Sequence, residues 1–340
     1  MLPIFAITTR GLEDVSAAEM AGLAGMGPVR CAYRRVEAEF NGEAGALLDL
    51  RTVDDVFVRL AVWNDTPPQR SALAQMRLWC RELPLRPAVG RMAELRRLPA
   101  RPSFSLTVNF VGKRNYTAEE VKAALASEIE EQHGWRYGGE NETDLNLRVF
   151  IEHEQAHVGL RLSTHPLHSR VYKQAHLSGS LKPTVAAGML RLTGAWPGGL
   201  MVDPFCGAGT IAVEAALIGL RAWGGDLDAM ALSAAAQNAH SAGVPVGLTR
   251  LDARRLPFDK GGVDFVLSNL PWGRQVQVDE PLKDLYGTVC AEIERVLVRD
   301  GQAALLTSLP DMVHFRRLSI NRQIEISLFG QNPSILLISA

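Results

Sequence analysis

Two short stretches of this chain combine residue types that can do chemistry. The first, Asp203-Pro-Phe-Cys-Gly-Ala-Gly-Thr210, is a glycine-rich turn between an apolar strand pattern and a helix pattern. Gly207 and Gly209 let the backbone approach a ligand with no Cβ in the way. The helix that opens near Thr210 aims free amides at the same point, which favours an anionic group. Asp203, at the strand end, adds a carboxylate that accepts from a cation and repels a pyrophosphate. The second stretch, Ser268-Asn-Leu-Pro-Trp-Gly273, is a stiff turn. There the Asn269 side-chain oxygen and the Leu270 carbonyl can accept both N–H bonds of a ring amine. Such an amine is a poor nucleophile, because its lone pair is delocalised into the ring. Held this way the lone pair points at an electrophile, so the turn works by positioning and by stabilising an amine that becomes cationic. Pro271 stiffens the turn, and Trp272 offers a face on which a flat ring can stack.

Asp226 ends the next strand pattern, 17 residues after Gly209, where a carboxylate can accept from both hydroxyls of a ribose. Asp228 is its rival, with helix N-capping as its other role. Gly207-x-Gly209-x-x-Ala212 also fits the loose dinucleotide pattern, and Asp203 is what separates the two readings. Cys206 is not read as a nucleophile: pyrimidine C5 chemistry needs cysteine attack on the ring, whereas the second turn suits amines. No metal is expected. His153 and His157 straddle a predicted hairpin, and His165, His168 and His176 lie in a loop with no cysteine or carboxylate beside them.

The elements that must position these turns follow from periodicity. From Pro183 onward strand and helix patterns alternate: strands at 200–203, 221–226, 246–250, 263–269 and 303–308, helices at 210–220 and 229–241, and a terminal hairpin of 323–329 with 335–339. That succession predicts a doubly wound α/β sheet with ligands at the carboxyl ends of its strands. Upstream, residues 2–9, 29–40 and 56–63 read as strands, with helices over 11–25 and 43–50 between them. Asn64-Asp-Thr-Pro-Pro68 breaks the chain. Phe104 to Val111 is a strand, Thr117-Ala-Glu-Glu120 a capping box, and 145–151 with 156–162 a hairpin.

Composition bounds the rest. A chain of 340 residues with 47% apolar content is long enough for two or three domains with sizeable cores. There is no apolar run long enough for a membrane span. The N-terminus, Met1-Leu-Pro-Ile-Phe-Ala-Ile-Thr-Thr-Arg10, lacks a basic leader and reads as a strand rather than a signal peptide. Cys31, Cys80, Cys206 and Cys290 are far apart with no CxxC spacing, as expected of free thiols in a reducing cytoplasm. The net charge of −1 gives no sign of a nucleic-acid partner, but charge is unevenly spread. Eight arginines between Arg70 and Arg101 face only Glu82 and Glu94, and 155–202 holds Arg161, Arg170, Lys173, Lys182 and Arg191 with no carboxylate. Such clusters can neutralise phosphates; solvated helix faces are the alternative.

The two turns, in this order, resemble the class I S-adenosylmethionine-dependent methyltransferases that modify amino nitrogens of nucleic-acid bases. Phe104-Ser-Leu-Thr-Val-Asn-Phe-Val-Gly-Lys-Arg-Asn-Tyr116, the capped helix and Asp144-Leu-Asn-Leu-Arg-Val-Phe-Ile151 resemble a THUMP domain, an RNA-binding module. In that family a ferredoxin-like unit precedes THUMP, as the first sixty or so residues here do. Taken whole, the order resembles the bacterial and archaeal tRNA guanine-N2 methyltransferases acting on guanosine six of the acceptor stem. The resemblance implies a ferredoxin-like domain at 1–64, THUMP at 65–165, a linker at 166–182 and a Rossmann-like class I methyltransferase domain at 183–340. It implies S-adenosylmethionine held by Asp203, Phe205, Gly207, Gly209, Thr210, Asp226, Asp252 and Ala253, the last two near the adenine amino group unless they form an exposed turn. It implies catalysis by Asn269, Leu270, Pro271 and Trp272, with Leu270 standing where a second proline is commoner and Trp272 where Tyr or Phe is. Arg96, Arg97, Lys113, Arg114, Arg170 and Lys173 are the candidate RNA contacts, tRNA is the expected partner, and no obligate protein partner is expected. A ribosomal-RNA guanine-N2 methyltransferase is the nearest alternative. A non-catalytic RNA-binding module is a more distant one, against which the intact glycine turn and Asn269 argue.

Overall fold

The computed structural model describes residues 1–140, 142–272, 281–328 and 330–340. They fall into two units, Met1–Ile7 with Ala17–Leu167 and Thr8–Ser16 with His168–Ala340.

In the first unit, short alternating segments become strands β1 (Leu2–Thr8), β2 (Arg30–Ala32), β3 (Arg35–Phe40), β4 (Val53–Asn64), β5 (Phe104–Val111), β6 (Leu145–Glu152) and β7 (Gln155–Arg161). They make one seven-stranded sheet in the order β2-β3-β1-β4-β7-β6-β5. The proline-rich break after Asn64 does not divide this sheet. β4 pairs antiparallel with β7 from Phe57↔Arg161 to Asn64↔Gln155, so residues 1–64 and 65–165 share a sheet and a core rather than standing as separate bodies. The run 29–40, expected as one strand, is the hairpin β2–β3.

β5 and β6 are parallel, and the chain between them carries helix α4 (Ala118–His133). Its start is the expected capping box: the Thr117 hydroxyl accepts from the Glu120 amide, and the Glu120 carboxylate accepts from the Thr117 amide at 2.9 Å. Gly134, at φ +66, ends it in the left-handed conformation that favours glycine. Val121, Leu125 and Ile129 are buried, as the periodicity requires.

Much of the arginine-rich stretch is consumed by this packing. Helices α1 (Glu13–Ala21), α2 (Ser71–Cys80) and α3 (Leu85–Ala93) precede α4 in the chain; α2 lies against α4, and the buried Glu128 of α4 accepts from Arg77 at 2.9 Å and Arg81 at 2.8 Å. Arg70 pairs with Glu120. A carboxylate with only 2% of its side chain exposed needs such partners, so these arginines answer an internal charge. Arg86, Arg97 and Arg101 are exposed.

The second unit holds β8 (Leu200–Asp203), β9 (Arg221–Asp226), β10 (Val246–Arg250), β11 (Val263–Asn269), β12 (Leu297–Thr307), β13 (Ser319–Glu325) and β14 (Ser334–Ser339). Their order is β10-β9-β8-β11-β12-β14-β13. The first five run parallel, and β14 is antiparallel to both of its neighbours. The first strand of the terminal hairpin starts earlier than its apolar pattern suggested, at Ser319 instead of 323, because β13 is an edge strand with an exposed face; Phe329 lies outside the described residues. Helices α5 (Pro183–Leu192), α6 (Thr210–Leu217), α7 (Ala229–Ala242) and α8 (Leu282–Val296) complete the unit.

Two boundaries differ from the sequence reading. Residues 168–182 are built into the second unit, with Tyr172 packed against Val213 and Ala239. Thr8–Ser16 also belongs there: Leu12 and Val15 sit in one core with Val185, Met189 and Ile326. Gly11, at φ +93, makes that fit possible, since a Cβ would lie 2.1 Å from the Glu325 carbonyl oxygen.

Thr117→Ala should remove the side-chain half of the capping box, the bond from the Glu120 amide, and cost about 1 kcal/mol. Native-state hydrogen exchange checks this; unchanged protection of the first turns of α4 would show that the cap contributes nothing.

Candidate active site

β8 and β11 lie side by side, and the strand order reverses between them: from β8 it runs to β9 and β10 on one side, to β11 and β12 on the other. That is the switch point of a doubly wound sheet, where a crevice opens at the carboxyl ends of the strands. A cavity of about 430 Å³ lies there. Asp203, Phe205, Gly207, Thr210, Asp226, Asp228, Asn269, Leu270, Pro271 and Trp272 line it, together with Leu177–Leu181, Leu328 and Gln331. Both sequence turns therefore face one space.

Asp203 is 2% exposed. Its Oδ1 accepts from the Ser268 hydroxyl at 2.7 Å and from the Phe205 amide at 3.2 Å. Burial pushes its carboxyl up from the ordinary 3.8 to about 7; the two hydrogen bonds pull the other way, and the nearby Asp226 charge adds to the rise. Asp226 accepts from the Gly207 amide at 3.0 Å and from the Asp228 amide at 3.0 Å, which fixes the glycine turn to the end of β9. Asp228 caps α7 through the Met230 amide at 2.8 Å, so both rivals are in use, Asp226 across the cavity floor and Asp228 as an N-cap.

The two glycines do different work. Gly207, at φ +50, has no atom within 4 Å of where its Cβ would stand, so a side chain there would fill ligand space. Gly209, at φ +75, would place its Cβ 2.8 Å from that of Ala235 on α7. Its lack of a side chain lets two helices approach; it does not line the cavity. Asp252 and Ala253 do not line it either. Asp252 is bound to Arg254, whose guanidinium lowers its pKa, and Ala253 is buried in one core with Leu256 and residues of α8.

On the opposite wall, Asn269 donates from Nδ2 to the Gly179 carbonyl at 3.4 Å, while its Oδ1 is buried with no hydrogen-bond partner among the described residues. Leu270 is anchored through its amide to the Leu306 carbonyl at 3.0 Å. The Pro271 carbonyl accepts from the Tyr286 hydroxyl at 3.0 Å, and that hydroxyl lies 2.9 Å from Thr307 Oγ1. Tyr286 is buried, and burial pushes its phenol up to about 12. Trp272 presents a partly buried ring whose Nε1 has no partner among the described residues; Gly273 lies outside them. Ser180 Oγ is a third orphan on the same cavity. Each such group costs about 1–3 kcal/mol when left unpaired, and three on one cavity point to a polar ligand. Sequence reasoning missed residues 177–181, Ser268 as partner of Asp203, and Tyr286. Leu177-Ser-Gly-Ser180, a small polar run just before Pro183, was the one available signal.

The candidate RNA contacts divide. Arg97 and Lys113 are exposed. Arg96 is half-buried, donates to the Asp144 carbonyl at 2.7 Å, and has its pKa lowered chiefly by burial. Arg114 donates to the carbonyls of Thr66 and His153 and packs on the rings of Phe110 and Tyr116. Arg170 and Lys173 work inside the second unit. Arg170 pairs with the fully buried Glu214 at 3.3 Å; Lys173 donates to the Leu181 carbonyl, and burial lowers its pKa to about 8. Among the described residues no cluster of three or more His, Cys, Asp or Glu could hold a metal, and no helix is long and apolar enough to cross a membrane.

Comparison with known proteins agrees with this geometry. Residues 170–326 match the family described as UPF0020, RMKL-like, methyltransferase domain. TrmN from Thermus thermophilus superposes over 100% of this chain and 99% of its own, with a TM-score of 0.83 and 27% identity. The second unit has the class I methyltransferase fold. Among curated proteins, a tRNA (guanine(6)-N2)-methyltransferase of Thermus thermophilus is 34% identical over 215 residues, 62% of this chain and 64% of that protein. The human tRNA (guanine(6)-N(2))-methyltransferase THUMP3 is 28% identical over 226 residues, 60% of this chain and 43% of that protein. The matches thus span less than two thirds of these relatives' length. The chain resembles the tRNA guanine-N2 methyltransferases.

S-adenosylmethionine is the methyl donor of this fold class, and the cavity's residues fit it. A carboxylate raised by burial seeks a cation, Asp226 can take a ribose diol, and the α6 terminus offers amides to a carboxylate.

The raised Asp203 pKa makes a stability prediction. The folded state holds this proton more tightly than the unfolded chain, so its contribution is fully present below about pH 4 and is lost as pH rises to about 7. Asp203→Asn keeps an acceptor for Ser268 and should stabilise the ligand-free protein more at pH 8 than at pH 5, by an increment on the order of a few kcal/mol. Thermal unfolding at both pH values checks it; equal increments would mean that Asp203 does not titrate there.

Proposed function

We propose that this protein transfers a methyl group from S-adenosylmethionine to the exocyclic N2 of a guanosine in tRNA, with guanosine 6 of the acceptor stem as the preferred target. The observation that carries the reading is Asn269: its Nδ2 is taken by a backbone carbonyl, its Oδ1 is an acceptor with no partner among the described residues, and the cavity it faces also holds the buried Asp203. The cofactor supplies an electrophilic methyl group. Asn269 Oδ1 and the Leu270 carbonyl accept the two N2–H bonds, orient the lone pair and stabilise the amine as it becomes cationic. Tyr286 holds the turn from behind through the Pro271 carbonyl. Trp272 receives the base once it has left the stem, offsetting part of the extrusion cost. The activities for which the relatives are named support tRNA and guanine as substrate.

The same reading assigns RNA engagement to residues 1–165, with Arg97 and Lys113 neutralising phosphates. Replacing both with Gln should weaken RNA binding and flatten the dependence of log affinity on log salt, by about 0.9 in slope for each phosphate no longer neutralised, leaving cofactor affinity unchanged. An unaltered slope would make these residues a solvated face.

Single-turnover transfer to unmodified tRNA and, separately, to rRNA tests the chemistry. Asn269→Ala should slow transfer by at least about 100-fold, comparable with removing one preorganised polar group, with little change in cofactor affinity. Trp272→Phe should retain substantial activity, and Trp272→Ala should weaken RNA engagement. Near-wild-type transfer by Asn269→Ala would make the turn structural, and preference for rRNA would replace the substrate.

A further inference from the structure

One wall of the cavity, the arch 175–181, belongs to no helix or strand. Its shape is set by buried side chains behind it. Asn238 of α7 is fully buried. Its Oδ1 accepts from the Ala175 amide at 2.9 Å, and its Nδ2 donates to the Ala175 carbonyl at 3.0 Å and to the Ala208 carbonyl at 2.9 Å. One amide thus ties the foot of the arch and the glycine turn to the same helix. A second anchor lies just upstream, where Glu214 accepts from the Tyr172 hydroxyl at 2.7 Å. At the other end of the arch, Gly179, at φ +77, supplies the carbonyl that receives Asn269 Nδ2.

That last bond decides how Asn269 presents itself. The two ends of an asparagine amide are alike in shape and opposite in hydrogen-bonding sense. With Nδ2 held by the arch, Oδ1 is the end left to accept. Were the amide reversed, it would meet an amine's N–H with its own N–H.

We propose that Asn238 is a positioning residue for amine recognition. By holding the arch it keeps the Gly179 carbonyl against Asn269, and so keeps Oδ1 available as an acceptor. The inference rests on Asn269 being the acceptor for the target amine, and the test separates the two.

The test is a double-mutant cycle in single-turnover transfer to unmodified tRNA at saturating S-adenosylmethionine, using wild type, Asn238→Ala, Asn269→Ala and the pair. Ala236→Gly, on the exposed side of α7, reports what loss of helix stability alone does. Asn238→Ala should slow transfer at least about ten-fold beyond that control, and less than about three-fold further in the Asn269→Ala background, because coupled residues are non-additive. Tyr172→Phe, which deletes the second anchor with little change of shape, should show the same non-additivity and stands in if Asn238→Ala does not fold. Additive effects, or rates no lower than the Ala236→Gly control, overturn the proposal while leaving the role of Asn269 intact. A wild-type rate for Asn269→Ala overturns both.

Discussion

The second unit is organised around a carboxylate almost wholly withdrawn from solvent. Asp203 stands at the end of β8, beside the end of β11, at the point where the strand order reverses. Removing a carboxylate from water is costly unless it is paired, and among the described residues its hydrogen-bond donors are one hydroxyl and one amide. These donors also define the site. Ser268 precedes Asn269, so the bond that steadies the carboxylate also fixes the start of the turn Asn269–Trp272. Phe205 opens the glycine turn, so the same carboxylate shapes the route of the chain into α6. The two turns are thus set against one another by two parallel strands whose register is fixed by Phe265↔Met201 and Val266↔Val202.

Much of this was legible because its signals are local. A glycine turn after a strand, a carboxylate at its head, a second carboxylate at the end of the next strand and a proline-stiffened turn after the fourth each announce themselves within a few residues. The fold supplies their order, since a doubly wound sheet brings the carboxyl ends of its first and fourth strands together. Local signals could still mislead about role. Gly207 and Gly209 look alike in sequence, yet one faces ligand space and the other faces Ala235. Asp252 follows the third strand as expected, but Arg254, two residues on, engages its carboxylate.

What the sequence did not disclose depends on partners distant along the chain. Arg170 reads as an RNA contact until Glu214 is found buried beside it, 44 residues away. Arg77 and Arg81 read as part of a basic face until Glu128 appears behind them. Thr8–Ser16 reads as the start of the first domain, whereas Gly11 lets it lie against Glu325 in the second unit. Each is a charge or glycine whose meaning comes from one tertiary neighbour, which no pattern of period two or 3.6 can reveal. The arch 175–181 is hidden for a related reason: its shape is held by the side chains of Asn238 and Glu214 and not by a backbone ladder of its own.

The costs carried by the second unit gather on one cavity. An acid raised by burial, three polar atoms without partners among the described residues and a loop wall pinned by a buried amide and a buried carboxylate would each weaken a fold built for stability alone. A ligand that supplied a cation to Asp203 and hydrogen-bond partners to Ser180, Asn269 and Trp272 would relieve several of these costs at once. Its binding free energy would therefore also be stabilisation of this unit, by ordinary linkage. The rigid parts, β8, β11 and the helices behind them, fix where the reacting groups stand. The arch belongs to no helix or strand, and under the proposal its order would decide which end of the Asn269 amide an incoming amine meets. Under the proposed function, specificity for an amine over a ring carbonyl would rest on the orientation of one side-chain amide, because a carbonyl oxygen would face Oδ1 with no proton between them.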